Sequence, residues 1–166
     1  MSVAQNIEDV IQFIKQRKLL LCTAESCTAG LVASRVADVP GSGAILEISF
    51  TVYSPEAKKH NLGVSAQTID RYGLTSEEVA SEMALGALAN SRATIALANT
   101  GKATSDDELD GVVCFACAME VANKRYVVHE TVHFDGSRNE VRMAAAEYVL
   151  LHLPVYYQQL MNKSPK

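Results

Sequence analysis

A short, mostly apolar run from Leu19 to Ala24 breaks directly into a small and polar stretch, Glu25-Ser26-Cys27-Thr28-Ala29-Gly30, before a helical pattern resumes through about Val36. A run this short without polar alternation reads as a strand buried on both faces, feeding a tight turn and then a helix. Such a strand has to be covered on both sides, so the chain must build layers above and below a sheet. That requirement narrows the fold more than any other segment of the sequence.

The remaining elements fit the requirement. Val3, Ile7, Val10, Ile11 and Ile14 form one apolar stripe of a first helix, with Ser2 and Gln5 spaced as a capping box. Residues 44–53 alternate: Ala44, Leu46, Ile48, Phe50 and Val52 are expected on one face, and Glu47, Ser49, Thr51 and Tyr53 on the other. Ser54-Pro55-Glu56 is a helix start with a capping hydroxyl, proline at the first helical position and an early acid. A short helix is expected from Ser65 to Gly73, and Thr75 with Glu78 is expected to cap a longer one through about Asn90. Strands are predicted at 94–99, 111–119 and 126–134, the last two turning near Asn123-Lys124, with a polar loop at 100–110. Ser137 and Glu140 cap a final helix that ends before Pro154, leaving 154–166 as a fraying tail. The expectation is one α/β domain over 1–153, a three-layer α/β/α sandwich around a mixed sheet of about five strands.

Composition excludes several classes. The 166 residues are 48% hydrophobic and 20% charged, and 15 Lys+Arg against 19 Asp+Glu leave a net charge of −4, poorly suited to gripping a phosphate backbone. Nucleic acid is therefore not the expected partner. No apolar run approaches the ~20 residues that span a bilayer, and Glu8 and Asp9 within the first helix do not fit a signal peptide. The expected setting is cytoplasmic, without a membrane partner, where Cys22, Cys27, Cys114 and Cys117 remain reduced thiols. Cys114 and Cys117 fall within a predicted strand, where positions three apart face opposite sides, so core thiols fit better than a metal pair.

Ser26 is the residue to examine for chemistry. Ligands of open α/β sheets sit at the carboxyl ends of strands, where a loop enters a helix, and the N–H groups of Cys27 and Thr28 could face an oxyanion there. The plainer alternative is that Ser26 or Thr28 only caps the helix. A nucleophilic serine needs a base, and His60, His129, His133 and His152 all fall on strands or solvated surfaces. Lys58 is the other candidate. At a pKa of ~10.4 fewer than about one lysine in a thousand is neutral at pH 7, but burial can lower that value by ~3–5. Lys58 lies early in the helix opened by Ser54, whose positive end also disfavours an ammonium; taken alone, a solvated lysine beside Lys59 remains the plainer reading. Cys27 is a rival nucleophile. The acidic run 106–110 resembles no known calcium loop and reads as solvated.

Several words in order carry a resemblance: Thr23-Ala24-Glu25-Ser26-Cys27-Thr28-Ala29-Gly30, Asp38-Val39-Pro40-Gly41-Ser42, Tyr53-Ser54-Pro55-Glu56-Ala57-Lys58 and Leu62-Gly63-Val64. Ser76-Glu77-Glu78-Val79, Thr100-Gly101, Phe134-Asp135-Gly136-Ser137-Arg138 and Val141-Arg142 continue it. From about Thr23 to Leu151 the chain resembles the C-terminal domain of the CinA family. That resemblance implies nicotinamide-nucleotide amidase activity: nicotinamide mononucleotide and water yield nicotinic acid mononucleotide and ammonia, by a Ser/Lys mechanism with no metal and no cofactor. It implies Ser26 as nucleophile, Lys58 as base and Tyr53 beside them, with Thr28, Gly30, Thr100, Gly101 and Arg138 as substrate-binding positions. An Arg fork suits a nucleotide phosphate. It also implies a homo-oligomer, a dimer. Two departures stand out. Ala29 replaces the first glycine of the usual Ser-Cys-Thr-Gly-Gly, and Lys102 to Asp110 replaces a Gly/Pro-rich stretch with a shorter, acidic one. These departures favour the alternative of a degenerate paralogue that binds nucleotides or regulates; retention of the site residues favours the enzyme.

Overall fold

The structure, a computed structural model, describes residues 1–164. In chain order its elements are α1 (Ile7–Gln16), β1 (Leu21–Glu25), α2 (Leu31–Ala37), β2 (Leu46–Thr51), α3 (Pro55–Leu62) and α4 (Ala66–Tyr72). They continue with α5 (Glu77–Ala89), β3 (Ile95–Gly101), β4 (Val112–Val121), β5 (Lys124–His133), α6 (Arg138–Leu151) and α7 (Leu153–Lys163). The strands form one mixed sheet of order β2-β1-β3-β4-β5, with β1 parallel to both β2 and β3, and with β4 antiparallel to both β3 and β5.

β1 is buried along its whole length, as its apolar run predicts. Leu21 packs with Ile95, Phe115 and Cys117 beneath α1, α2, α6 and α7, while Cys22 and Ala24 pack on the opposite face beneath α3 and α5. Cys114 and Cys117 divide between these two cores, as alternation along a strand requires. From β1 the chain goes to β2 on one side and later to β3 on the other. The carboxyl ends of β1 and β3 thus flank the point where strand order reverses, the usual place for a crevice in such sheets.

Local capping signals were read correctly at Ser54, whose hydroxyl accepts from Ala57 N–H at 3.1 Å, and at the reciprocal Ser137–Glu140 box. Others shifted. α1 is capped by Asn6 rather than Ser2, and α5 by Ser76 rather than Thr75, so both helices start later than expected. The alternation in β2 is broken by a register shift against Leu21/Cys22; it turns Leu46 to the α1/α2 face and leaves Ile48 exposed on this edge strand. Residues 154–164 are not a fraying tail. Residues 154–163 belong to α7, with Ser164 as its C-cap; the helix is held by buried Leu153, Tyr156 and Leu160, and Pro154 sits in its first turn, where its missing N–H costs nothing; residues 165 and 166 of that expected tail lie outside the described residues.

One contact positions α3, the helix that carries Lys58. A Cβ built on Gly86 of α5 would lie 2.0 Å from the carbonyl oxygen of Leu62, so only glycine lets the end of α3 seat against α5. Gly86→Ala gains about 1 kcal/mol of helix propensity but forces an overpacked contact costing about 1–3 kcal/mol or more. We expect a lowered midpoint in urea denaturation, opposite to the usual effect of replacing a helical glycine. An unchanged or raised midpoint would mean that α3 retreats from α5 at no cost.

Candidate active site

The turn that carries Ser26 is held by three buried or half-buried polar side chains. Glu25, the last residue of β1, turns its carboxylate back under α2 and accepts from Gly30 N–H at 2.9 Å, Val32 N–H at 3.0 Å, Ala33 N–H at 3.0 Å and the Thr28 hydroxyl at 2.6 Å. A carboxylate at the amino end of a helix meets both the free N–H groups and the favourable dipole. Asn99, at the end of β3, accepts from Ser26 N–H through its carbonyl at 3.1 Å and donates from its side chain to the Thr28 hydroxyl at 2.8 Å. Arg142 of α6 donates to the carbonyls of Cys27 at 2.9 Å and Thr28 at 3.2 Å. The N–H groups of Cys27 and Thr28 engage no backbone carbonyl among the described residues. Ala29 takes a left-handed φ of +50° and Gly30 one of +94°; Ala29 is exposed, so its methyl group strains the backbone by about 1–2 kcal/mol without entering the site.

Lys58 reaches this turn from α3. It is 1% exposed, and its Nζ lies 2.8 Å from Ser26 Oγ, 2.9 Å from the Val52 carbonyl and 3.0 Å from the Tyr53 carbonyl. No carboxylate touches it. Burial pulls its pKa from 10.5 to about 8, with only the Cys27 side chain acting the other way. All three contacts have Nζ as donor, to Ser26 Oγ and to the two carbonyls; once the amine loses its proton, two N–H bonds still satisfy the carbonyls and the lone pair is free to accept from the Ser26 hydroxyl. Burial also pushes the Cys27 thiol up to about 12, and Cys27 Sγ donates to Asn99 Oδ1 at 3.4 Å. Cys27 is thus held as a thiol, the weakly nucleophilic form of cysteine.

Ser26, Cys27, Tyr53, Lys58, Thr100 and Gly101 line one cavity of about 170 Å³ at the ends of β1 and β3. Tyr53 is mostly exposed, and its hydroxyl accepts from Arg138 Nη2 at 2.9 Å, so these two expected site residues meet at the rim. Thr100 is 2% exposed and its hydroxyl donates to the Leu74 carbonyl at 2.8 Å, fixing the wall formed by the α4–α5 connection. A Cβ on Gly101 would lie 2.4 Å from the Val112 carbonyl oxygen, which accounts for glycine at that strand end. Two expected positions are not brought to the cavity. Thr28 is fully buried, its hydroxyl spent on Glu25 and Asn99, and Gly30 serves as the left-handed entry to α2. Glu25, Asn99 and Arg142 were not singled out for the site by sequence reasoning. The one available signal was an acid closing an otherwise buried strand. Among the described residues no three of His, Cys, Asp and Glu group so as to hold a metal ion, and no helix is long and apolar enough to cross a membrane.

Residues 3–156 match the family described as the CinA C-terminal domain. A CinA-like protein of Chlorobium luteolum is 43% identical over 151 residues, covering 88% of this chain and 35% of that protein. A second, from Chlorobium limicola, is 35% identical over 160 residues, covering 93% of this chain and 37% of its own length. The chain therefore spans little more than a third of these curated relatives. Among solved structures, the competence/damage inducible protein CihA of Agrobacterium tumefaciens superposes with a TM-score of 0.81 at 34% identity, covering 95% of this chain and all of that one. The competence damage-inducible protein A (ComA) of Klebsiella pneumoniae gives 0.83 at 28% identity, covering 93% and 98%.

The buried amine has a consequence for stability. Unfolded, Lys58 titrates near 10.5, and folded near 8, so between those values the unfolded chain binds more protons and stability rises with pH. Below pH 8 both states are protonated and the contribution is flat. The stability of wild type relative to Lys58→Met should rise by about 3 kcal/mol between pH 7.5 and 10.5, measured by denaturant titration at each pH. A difference constant across that window would show the amine to be protonated and well solvated in the folded protein.

Proposed function

The chain belongs to the CinA family by its match to that family's C-terminal domain, and we propose that it is an amidohydrolase acting on nicotinamide mononucleotide or a closely related pyridine carboxamide. The observation that carries this reading is the 2.8 Å contact between Ser26 Oγ and the buried Nζ of Lys58, free of any carboxylate partner. Neutral Lys58 takes the hydroxyl proton as Ser26 oxygen bonds to the amide carbonyl carbon. Negative charge collects on the former carbonyl oxygen, for which the N–H group of Cys27, a residue that lines the cavity, is the available donor. The Lys58 ammonium then returns its proton to the departing nitrogen, ammonia leaves, and an ester on Ser26 remains. Water, deprotonated by Lys58, hydrolyses that ester to the carboxylate and restores the serine.

Arg138 supports the choice of an anionic nucleotide. It is exposed, and its partners are the neutral Tyr53 hydroxyl and Thr104 Oγ1, so a phosphate could use its charge. The departure at Ala29 leaves the pair intact, because its side chain is exposed rather than directed into the cavity. A homodimer and a cytoplasmic setting belong to the same proposal.

Purified protein incubated with nicotinamide mononucleotide should release ammonia and the deamidated nucleotide, with activity surviving exhaustive chelation. Ser26→Ala and Lys58→Ala should each lower turnover at least about 1,000-fold, and the double variant should lose little more, because the two act as a unit. Cys27→Ser should keep most of the turnover. Activity retained in Ser26→Ala but lost in Cys27→Ser would transfer the nucleophile to the thiol.

A further inference from the structure

The loop after β3 places a second cation at the cavity, and the same loop cancels it. Lys102 follows Gly101 and lines the cavity with Ser26 and Lys58. Its ammonium pairs with the carboxylate of Asp107, five residues on. Asp107 is not a loosely hung acid. Besides Lys102 it accepts from the Ser105 hydroxyl at 2.7 Å and from Leu109 N–H at 3.0 Å, and these donors hold its pKa at about 2. The other acids of the loop are placed differently. Asp110 accepts from Ser105 N–H at 2.7 Å, while Asp106 and Glu108 are exposed and make no ion pair among the described residues. Thr104, in the same loop, touches Arg138 at 3.4 Å.

The rim of the cavity therefore carries two cations of unequal availability. Arg138 faces neutral oxygens; Lys102 faces a fixed anion. We propose that Asp107 is a built-in competitor for an anionic substrate group, and that Lys102 is a specificity-determining residue made available only when Asp107 is displaced. A phosphate monoester would have to exchange with the Asp107 carboxylate to recruit the Lys102 ammonium. The chain accordingly discriminates less between phosphorylated and unphosphorylated amides than it would with Lys102 unpaired. The pair is part-exposed, 39% for Lys102 and 49% for Asp107, so the exchange is a matter of several-fold rather than orders of magnitude. This inference rests on the amidase reading for its substrate, but the competition between Asp107 and a phosphate does not depend on turnover.

The test uses four full-length proteins: wild type, Asp107→Asn, Lys102→Met and the double variant. Asn keeps a side-chain oxygen for Ser105 and Leu109, and thermal melts establish that each variant folds. The ratio of kcat/KM for nicotinamide mononucleotide to that for its dephosphorylated nucleoside is measured at low and moderate salt. Asp107→Asn should raise the ratio about three- to ten-fold, chiefly through KM, with the gain shrinking as salt screens it. The double variant should lose that gain. An unchanged ratio in Asp107→Asn overturns the proposal, and so does a gain that persists without Lys102. If none of the proteins turns over either amide, the amidase reading fails, and calorimetric titration with inorganic phosphate decides the competition. Tighter binding by Asp107→Asn than by wild type, abolished in the double variant, supports it; equal binding overturns it.

Discussion

A lysine amine with no acid to answer it, buried against a serine hydroxyl, is the interaction on which the account of this protein depends. Desolvation of Lys58 disfavours its charged form, and no carboxylate offsets that cost: its neighbours are two carbonyl oxygens and Ser26 Oγ, which offset only part of it. A carboxylate at the same place would have stabilised the ammonium and removed the base. The amine is thus prepared by what the fold withholds as much as by what it supplies.

The surrounding structure serves to keep two points from separating, one at the end of β1 and one on α3. The Ser26 turn is tied from below by Glu25, from the neighbouring strand by Asn99 and from α6 by Arg142. α3 is seated by the Gly86 contact to Leu62 and by Ser54 at its start, and the carbonyls of Val52 and Tyr53 lead straight from β2 into that helix. Each constraint acts on backbone, which gives the serine–lysine distance little freedom. The rim is built differently. Tyr53, Arg138, Lys102 and Asp107 are side chains at least partly open to solvent, held by exposed hydrogen bonds and one exposed ion pair. In the proposed function, chemistry falls to the rigid part and selection to the adjustable part.

The sequence disclosed what is determined locally. Ser54-Pro55 is a complete helix start within two residues, and Ser137 with Glu140 closes its hydrogen bonds within one turn. The short apolar run of β1 needs no distant information either. Ser2 and Asn6 are both competent caps, and the choice between them rests on how much of α1 packs against the core. Pro154 looked like a stop because the apolar face of α7 is worth little until β4 and β5 are there to receive it. The slipped register in β2 has no sequence signature of its own. At the site, Ser26 and Lys58 were candidates from their places at a strand end and a helix start, and the family resemblance assigned them as a pair, whereas Asn99 and Arg142 act across separations as long as 115 residues and become visible only when the strands are laid side by side. Thr28 was placed in the right neighbourhood, but its hydroxyl faces the scaffold rather than the cavity.

The claim that burial readies Lys58 to give up its proton is open to direct observation. Selective isotopic labelling of the lysine side chains, followed by an NMR pH titration of the Lys58 resonances beside those of the Lys58→Met protein, reads the ionisation of this one amine. The account predicts a midpoint near 8, well below those of the exposed lysines. A midpoint at or above 10 would contradict it, because at most about one amine in a thousand would then be neutral at pH 7 and Ser26 would lack a base.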